Sequence, residues 1–156
     1  VYMGEVIVQQ PYTHYLRVRY AECDAQGVVF NARYGEYVDV AATEFSRAVW
    51  GNYQDLLARG LDTQVVKLST SWSAPARFDD VLAIAVEVAH IGRSSYRLTL
   101  THRCHPSGKH IATSEITYVM VDCDAYQSTP IPDDLRQLLI EAGVGQVSNH
   151  AGVELP

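Results

Sequence analysis

The order of helical and strand-like segments is the feature that most restricts the fold of this 156-residue chain. One long stripe of apolar residues at helical spacing predicts a helix over residues 32–49, ended by Gly51. Strand-like segments precede and follow it, at residues 14–20, 63–72, 81–90, 95–105 and 110–122. Short turns around Gly92 and Gly108 join the last three as antiparallel hairpins. The order predicts an α+β fold, one long helix against a curved antiparallel sheet of about five strands.

The remaining segments complete a single domain over residues 1–142. Short helices are predicted at 53–59 and 133–141, the second capped by Asp133. Residues 3–8 are read as an extra strand or an extended lead-in, and residues 143–156 as a C-terminal tail that is mobile or docked on a partner. Because one helix covers only part of a broad sheet, the uncovered face and the sheet edge predict a homodimer or homotetramer.

Composition narrows the function classes and the compartment. Hydrophobic residues make up 47% and charged residues 19%, which is typical of a soluble globular domain, and a net charge of −6 argues against nucleic acid as a partner. No apolar run approaches the roughly 20 residues of a membrane helix, so membrane insertion is not expected. Residues 1–10 lack the pattern of a secretory signal, and three cysteines without paired spacing favour a reducing, cytoplasmic setting.

Residues 20–34 hold the strongest functional signal. They end a strand-like run, place Asp24 before a glycine turn at Gly27, and open the long helix. A helix N-terminus carries unpaired N–H groups and partial positive charge, so it can hold a phosphate, a carboxylate or a developing oxyanion. Asp24 is therefore either a helix-capping acid or a catalytic acid. Gly27 is a turn residue with unusual backbone angles, and its missing side chain would also let an acyl group approach the backbone.

Other reactive side chains support structural roles. Cys23 adjoins Asp24, but neighbouring extended residues point to opposite sides, so we expect a buried structural thiol rather than a nucleophile. A group of histidines and one cysteine suggests zinc, yet strand alternation separates its members and zinc-finger spacing is missing, so no metal is predicted and they are expected at hairpins and the surface: His102, Cys104, His105 and His110. Tyr34 and Tyr37 are expected to pack in the core or to line a pocket.

These segments resemble the hot-dog fold acyl-CoA thioesterases of the 4-hydroxybenzoyl-CoA thioesterase class, and most closely the bacterial subgroup associated with the Tol-Pal system. The matching residues are 17–20, 24–30, Tyr34, Tyr37 and Glu44, with weaker matches at 75–80 and 91–95. Many members of that subgroup have histidine where this chain has Asn31, and often asparagine or serine where it has Arg33; both departures leave the main-chain donor of Asn31 intact.

The resemblance implies a role for each matching position. Asp24 would be the catalytic carboxylate, and the backbone N–H of Asn31, beside Gly27, would bind the thioester carbonyl. If Tyr34 lines a pocket, it is the acyl pocket. The resemblance also supports contacts of the turn residues with the phosphates or pantetheine of coenzyme A: Arg93, Ser94 and Ser95. Glu44 would be a supporting or surface charge, because Asp24 already supplies the acid.

The implied function is hydrolysis of a short-chain, branched or aromatic acyl-CoA to the free acid and CoA. This hydrolysis needs no metal or redox cofactor. Coenzyme A is not counted as a cofactor, because it is part of the substrate. Two alternatives stay open: a non-catalytic module that binds acyl thioesters, and a thioesterase that acts on acyl-carrier protein. A dehydratase is disfavoured because no histidine lies between His14 and His90 to pair with an acid near the helix.

Overall fold

A computed structural model describes residues 9–155, and the segment predicted as an extra strand, residues 3–8, lies outside them. Two 3-10 turns, Tyr20–Glu22 and Asn31–Arg33, precede the long helix. The strands and helices follow in chain order: β1 (Tyr12–Arg17), α1 (Tyr34–Trp50), α2 (Tyr53–Ala58), β2 (Leu61–Trp72), β3 (Val81–Ile91), β4 (Ser95–His105), β5 (His110–Asp122), α3 (Asp133–Glu141) and β6 (Val147–Asn149).

The described strands form one sheet in the order β2-β5-β4-β3-β1-β6. The pairs β2–β5, β5–β4, β4–β3 and β3–β1 are antiparallel, whereas β6 runs parallel to β1. The strands carry alternating buried residues toward α1, and the ring of Tyr12 meets that of Phe45 edge to face at 5.6 Å between centroids. The predicted α+β hot-dog layout is confirmed, with one strand more than expected.

The helix α1 begins at Tyr34 rather than at residue 32, because residues 31–33 form a 3-10 turn. Its inner face is fully buried and includes Ala41 and Ala42, whose small side chains let the sheet approach closely. It ends where predicted, at Gly51 with φ of 81°, a conformation that favours glycine. This geometry holds the start of α1 at one end of the sheet.

The C-terminal segment is docked on its own chain, whereas the sequence predicts a tail that is mobile or docked on a partner. Residues 147–149 pair with residues 13–15 of β1, the N–H of Gly145 donates to the carbonyl of Gln10, and Ala151 is buried. The tail therefore closes the β1 edge of its own sheet. The predicted Asp133 cap is wrong: Pro132 occupies the N-cap position of α3, and no side chain caps that end.

The opposite edge is open. No strand among residues 9–155 pairs with the outer side of β2, which is twelve residues long. Large apolar side chains lie exposed along it, at 51% for Val65, 60% for Val66 and 50% for Trp72. Such an edge is a template for pairing with another strand. Within the described residues, no helix combines the length and apolar character needed to cross a membrane.

Candidate active site

The loop between β1 and α1 forms a tight turn that displays Asp24. The N–H of Asp24 donates to the carbonyl of Val28 at 2.9 Å, and the N–H of Gly27 donates to the carbonyl of Asp24 at 2.9 Å. Gly27 has a φ of 77°, and a Cβ placed there would meet no atom within 4 Å. Gly27 is therefore needed for the backbone conformation, as predicted, and the space beside it is open.

The Asp24 side chain caps its own turn and not the helix. Its Oδ1 accepts a hydrogen bond from the N–H of Gln26 at 2.8 Å, which is the local arrangement of an Asx turn. Arg33 is the N-cap residue of α1 and no side chain caps that end, so the helix-capping interpretation was wrong. The Oδ2 of the half-buried Asp24 accepts no hydrogen bond from residues 9–155, which leaves one carboxylate oxygen free for chemistry.

A second acid, Glu22, holds the loop against α1. Its side chain is almost completely buried and accepts hydrogen bonds from the N–H of Arg19 at 2.7 Å, from the Arg19 guanidinium at 2.8 Å, and from the Tyr37 hydroxyl at 2.9 Å. Burial raises the pKa of Glu22, but these hydrogen bonds outweigh it and hold that pKa below its ordinary value. A charged Glu22 thus ties the Asp24 loop to the first turn of α1.

Sequence reasoning missed Glu22. The available signal was its spacing from Arg19, since the two residues form a reciprocal capping arrangement around the 3-10 turn. A further tie joins the two ends of the loop, because the N–H of Phe30 donates to the carbonyl of Glu22 at 2.9 Å.

Residues 75–80, a weaker match in the sequence, run beside this loop. The N–H of Val29 donates to the carbonyl of Ala76 at 2.8 Å, and Val28 forms an isolated antiparallel bridge with Arg77. The side chain of Asp80 accepts the N–H of Arg77 at 2.8 Å and so fixes the turn. The segment is therefore part of the scaffold that supports the Asp24 loop.

A cleft of about 360 Å³ opens at the start of α1. Residues that line it include Val29, Asn31, Tyr34, Trp72, Ser73 and Pro75. Asn31 is exposed and is the first residue of the 3-10 turn, and its N–H takes no part in the backbone hydrogen bonds found around this loop in residues 9–155. An unpaired N–H beside a cleft is a ready donor to a substrate oxygen.

Tyr34 joins this cleft to the core. Its ring is buried and meets Trp72 and His102 edge to face, each with 5.7 Å between centroids. Burial raises the pKa of Tyr34 to about 12, so the phenol is neutral near pH 7. The predicted core packing of Tyr34 and Tyr37 is confirmed, and Tyr34 also lines the cleft.

The turn with Arg93, Ser94 and Ser95 lies at the other end of the sheet. Strand β3 begins beside the Asp24 loop, where the N–H of Val18 donates to the carbonyl of Asp80, and ends at this turn. The ten intervals between the 11 residues of β3, at about 3.3 Å each, separate the two ends by roughly 30 Å. Within one chain the structure does not bring this turn to Asp24, so its contact with coenzyme A stays a prediction.

The histidines that suggested a zinc site do not converge on one point in the structure. His102 was expected near the surface, but it is fully buried under Tyr34, its Nε2 lies 3.0 Å from Ser114 Oγ, and burial lowers its pKa to about 4. No three histidine, cysteine or acidic side chains within residues 9–155 converge as metal ligands would.

Glu44 lies on α1 beside the C-terminal segment, with Oε2 3.4 Å from Arg47 Nε and Oε1 3.8 Å from His150 Nε2, in keeping with a supporting charge.

Comparisons with known proteins agree with this architecture. The family sequence model of the thioesterase-like superfamily matches residues 18–139 of this chain. A protein of Escherichia coli O6:H1 named acyl-CoA thioester hydrolase YbgC is 33% identical over 108 residues, which cover 69% of this chain and 79% of that protein.

Two solved structures show the same fold. A 4-hydroxybenzoyl-CoA thioesterase in complex with 4-hydroxybenzoyl-CoA has a TM-score of 0.74 and 21% identity, and the match covers 81% of this chain and 96% of the other. A Staphylococcus aureus protein solved with CoA has a TM-score of 0.82 and 14% identity over 98% of this chain and 94% of the other.

Proposed function

The chain belongs to the thioesterase-like superfamily and is a thioester hydrolase, and on that premise we propose that it cleaves short-chain, branched or aromatic acyl-CoA with Asp24 as the catalytic carboxylate. The Escherichia coli relative that matches this chain is named an acyl-CoA thioester hydrolase. The observation that carries the assignment of Asp24 is its free Oδ2, on a hydrogen-bonded turn in the loop that leads into α1.

The chemistry needs two groups at this end of the sheet. The thioester carbonyl carbon is electrophilic, and attack on it moves negative charge to oxygen, which the N–H of Asn31 would stabilise. Asp24 either attacks the carbon to form an anhydride or removes a proton from the attacking water. In the first route the C–S bond breaks, the CoA thiolate takes up a proton, and water then hydrolyses the anhydride to the free acid and restores Asp24. In the second route water supplies the new oxygen directly and the C–S bond breaks, so both routes release CoA thiol and a carboxylic acid. Coenzyme A enters as part of the substrate, and the proposal includes no metal and no further cofactor.

A second copy of the chain would complete the site. Antiparallel pairing of β2 with β2 of another copy about a two-fold axis places the Leu61 end of one strand beside the Trp72 end of the other. The turn with Arg93 lies at the Leu61 end, because β4 starts there against Val119 of β5. In a homodimer, or a homotetramer built from it, Arg93, Ser94 and Ser95 of one copy approach Asp24 of the other and offer donors to phosphate or pantetheine.

Release of free thiol from short-chain, long-chain and aromatic acyl-CoAs tests the proposal. We expect turnover by the native chain and a loss of at least about a hundredfold in kcat for Asp24→Asn, because that amide neither attacks nor accepts a proton. Asp55→Asn, at an exposed position on α2, is the matched control and should retain activity. Circular dichroism verifies that both variants fold.

The other outcomes decide between the alternatives. Unchanged turnover in Asp24→Asn would remove Asp24 from the mechanism. Binding of acyl-CoA without turnover by the native chain would support a non-catalytic binding module. Turnover on acyl-carrier protein but not on acyl-CoA would assign the carrier-bound thioester as the substrate.

A further inference from the structure

Ser73 and His110 form a hydroxyl–imidazole pair at the same cleft as Asn31. Ser73 lines the cleft just after the end of β2, and its Oγ lies 2.8 Å from Nδ1 of His110, which begins β5. The other ring nitrogen, Nε2, lies 2.8 Å from Oγ1 of Thr113. Both nitrogens of the imidazole therefore face hydroxyl groups, and the ring is held from both sides.

The backbone around this pair is fixed by an irregularity in the sheet. The register of β4 against β5 shifts between His102 and Arg103, where the partners change from Ala112 to His110. The carbonyl of Ile111, inside the irregularity, accepts the N–H of Ser73 at 2.8 Å and that of Ala74 at 3.2 Å. A bulge of this kind re-aims side chains and is frequent beside active sites. It sets the relative position of Ser73 and His110.

We propose that Ser73 is a second donor to the thioester oxygen, opposite the N–H of Asn31, and that His110 is the positioning residue that orients the Ser73 hydroxyl. The inference rests on the proposed thioesterase function. Developing oxyanions are best stabilised by several preorganised donors, and the mechanism above supplies only one. Ser73 is exposed, so the hydroxyl is within reach of a substrate in the cleft.

The proposed role of Ser73 requires a proton on Nδ1 of His110, the ring nitrogen that lies 2.8 Å from Ser73 Oγ. A neutral imidazole has one donor and one acceptor nitrogen. When Thr113 donates to Nε2, the Nδ1–H donates to Ser73 Oγ, and the Ser73 proton is left for the carbonyl oxygen of the substrate. No proton leaves Ser73 in this role: water supplies the oxygen of the acid, the C–S bond breaks, and the thiol takes up a proton.

Steady-state kinetics on the best acyl-CoA substrate tests the pair. We expect Ser73→Ala to lower kcat by about ten- to a hundredfold with KM little changed, because the contact strengthens as charge develops. Ser73→Thr, which keeps the hydroxyl, should restore most of the rate. Ser128→Ala, an exposed serine outside the cleft, is the matched control. His110→Ala should lower kcat less than Ser73→Ala.

A double variant separates orientation from general stability. If His110 acts only through Ser73, Ser73→Ala/His110→Ala should match Ser73→Ala alone, whereas independent structural effects would multiply. A kcat within twofold of the native value for Ser73→Ala, a change in KM alone, or multiplying effects would overturn the inference. The proposed function fails separately, through a native chain without turnover or an Asp24→Asn variant with full turnover.

Discussion

The two ends of the sheet are built for different tasks. The Asp24 end carries a buried, hydrogen-bonded acid in Glu22, a free carboxylate oxygen on Asp24 and the start of α1. The other end carries a hairpin turn with Arg93 exposed, held to α3 because the Arg136 guanidinium donates to the carbonyls of Gly92 and Arg93 at 2.9 and 3.1 Å. The free carboxylate oxygen of Asp24 lies at one end, whereas the exposed Arg93 lies at the other.

The separation teaches that one chain holds only part of the proposed site. The roughly 30 Å along β3 exceeds the reach of any side chain. The two edges of the sheet also differ. The β1 edge is covered by β6, whereas the β2 edge is open among the described residues. The open edge is the one along which a second copy would bring unlike ends together.

Among the changes that test this comparison, blocking the β2 edge has the largest expected effect. Val66→Lys places a charge on an exposed apolar position, so the monomer should fold while edge-to-edge pairing is opposed. We expect a monomer in light scattering and a loss of about a hundredfold in kcat/KM, because the Arg93 turn of a second copy is then missing. Gln64→Lys, at another exposed position of β2, shows whether the effect follows the charge or the apolar contact. A fully active monomer would contradict the two-chain site.

Acid should loosen the Asp24 end before the turn end. His102, buried near the Asp24 end, has its pKa lowered by burial from 6.5 to about 4, so the unfolded chain binds the proton more readily. The stability that depends on neutral His102 is complete above pH 6.5 and is lost as the pH falls toward 4, by up to about 3 kcal/mol. At the turn end, burial raises the pKa of Tyr96, which stays neutral throughout this range.

Hydrogen exchange and thermal unfolding check this difference. Protection factors of β4 amides near His102 should fall from pH 7 to pH 5 more than those near Tyr96. His102→Gln should show a weaker dependence of Tm on pH than the native chain. His14, whose pKa burial also lowers to about 4, keeps some acid sensitivity in that variant. Equal loss of protection at the two ends would contradict the prediction.

Removing the cation at the turn end should affect binding rather than chemistry. We expect Arg93→Ala to raise KM for acyl-CoA by about tenfold with kcat nearly unchanged, since a phosphate contact is made equally in the ground and transition states. Arg47→Ala removes an exposed arginine on α1 and is the matched control. The size of the Arg93 effect should shrink as salt rises, because exposed charges are screened. A fall in kcat without a change in KM would argue against a phosphate contact.

Local patterns predicted most of the fold, because the spacing of apolar residues along a helix or strand follows the face that is buried. The bounds of β4, β5 and α3 agree with the prediction, and Gly51 ends α1 as expected. The strand β6 was missed because three residues carry no period of their own, and their pairing with β1 joins segments about 130 residues apart.

The candidate site was predictable only where its parts are close in sequence. Asp24, Gly27 and Asn31 lie within eight positions, so a turn followed by a helix was enough to group them. Burial of Glu22 depends on Tyr37, fifteen residues later on α1, and the pair of Ser73 with His110 spans 37 residues. Such groupings form only when distant segments of the chain pack together. Neither the spacing nor the type of the residues indicates which segments will meet.

The smallest expected effect sharpens the assignment within the Asp24 turn itself. Cys23 adjoins Asp24 and is half-buried rather than buried as predicted. It packs partly against the hydrophobic cluster, and its Sγ lies 3.8 Å from the carbonyl of Arg19. Cys23→Ser should therefore change kcat by less than about twofold, because serine keeps the size and a donor while the thiol takes no part in the reaction. Alkylation of the thiols of the native chain, measured alongside, should likewise change kcat only slightly. A hundredfold loss in Cys23→Ser, with Asp24→Asn still active, would move the nucleophile from the carboxylate to the thiol.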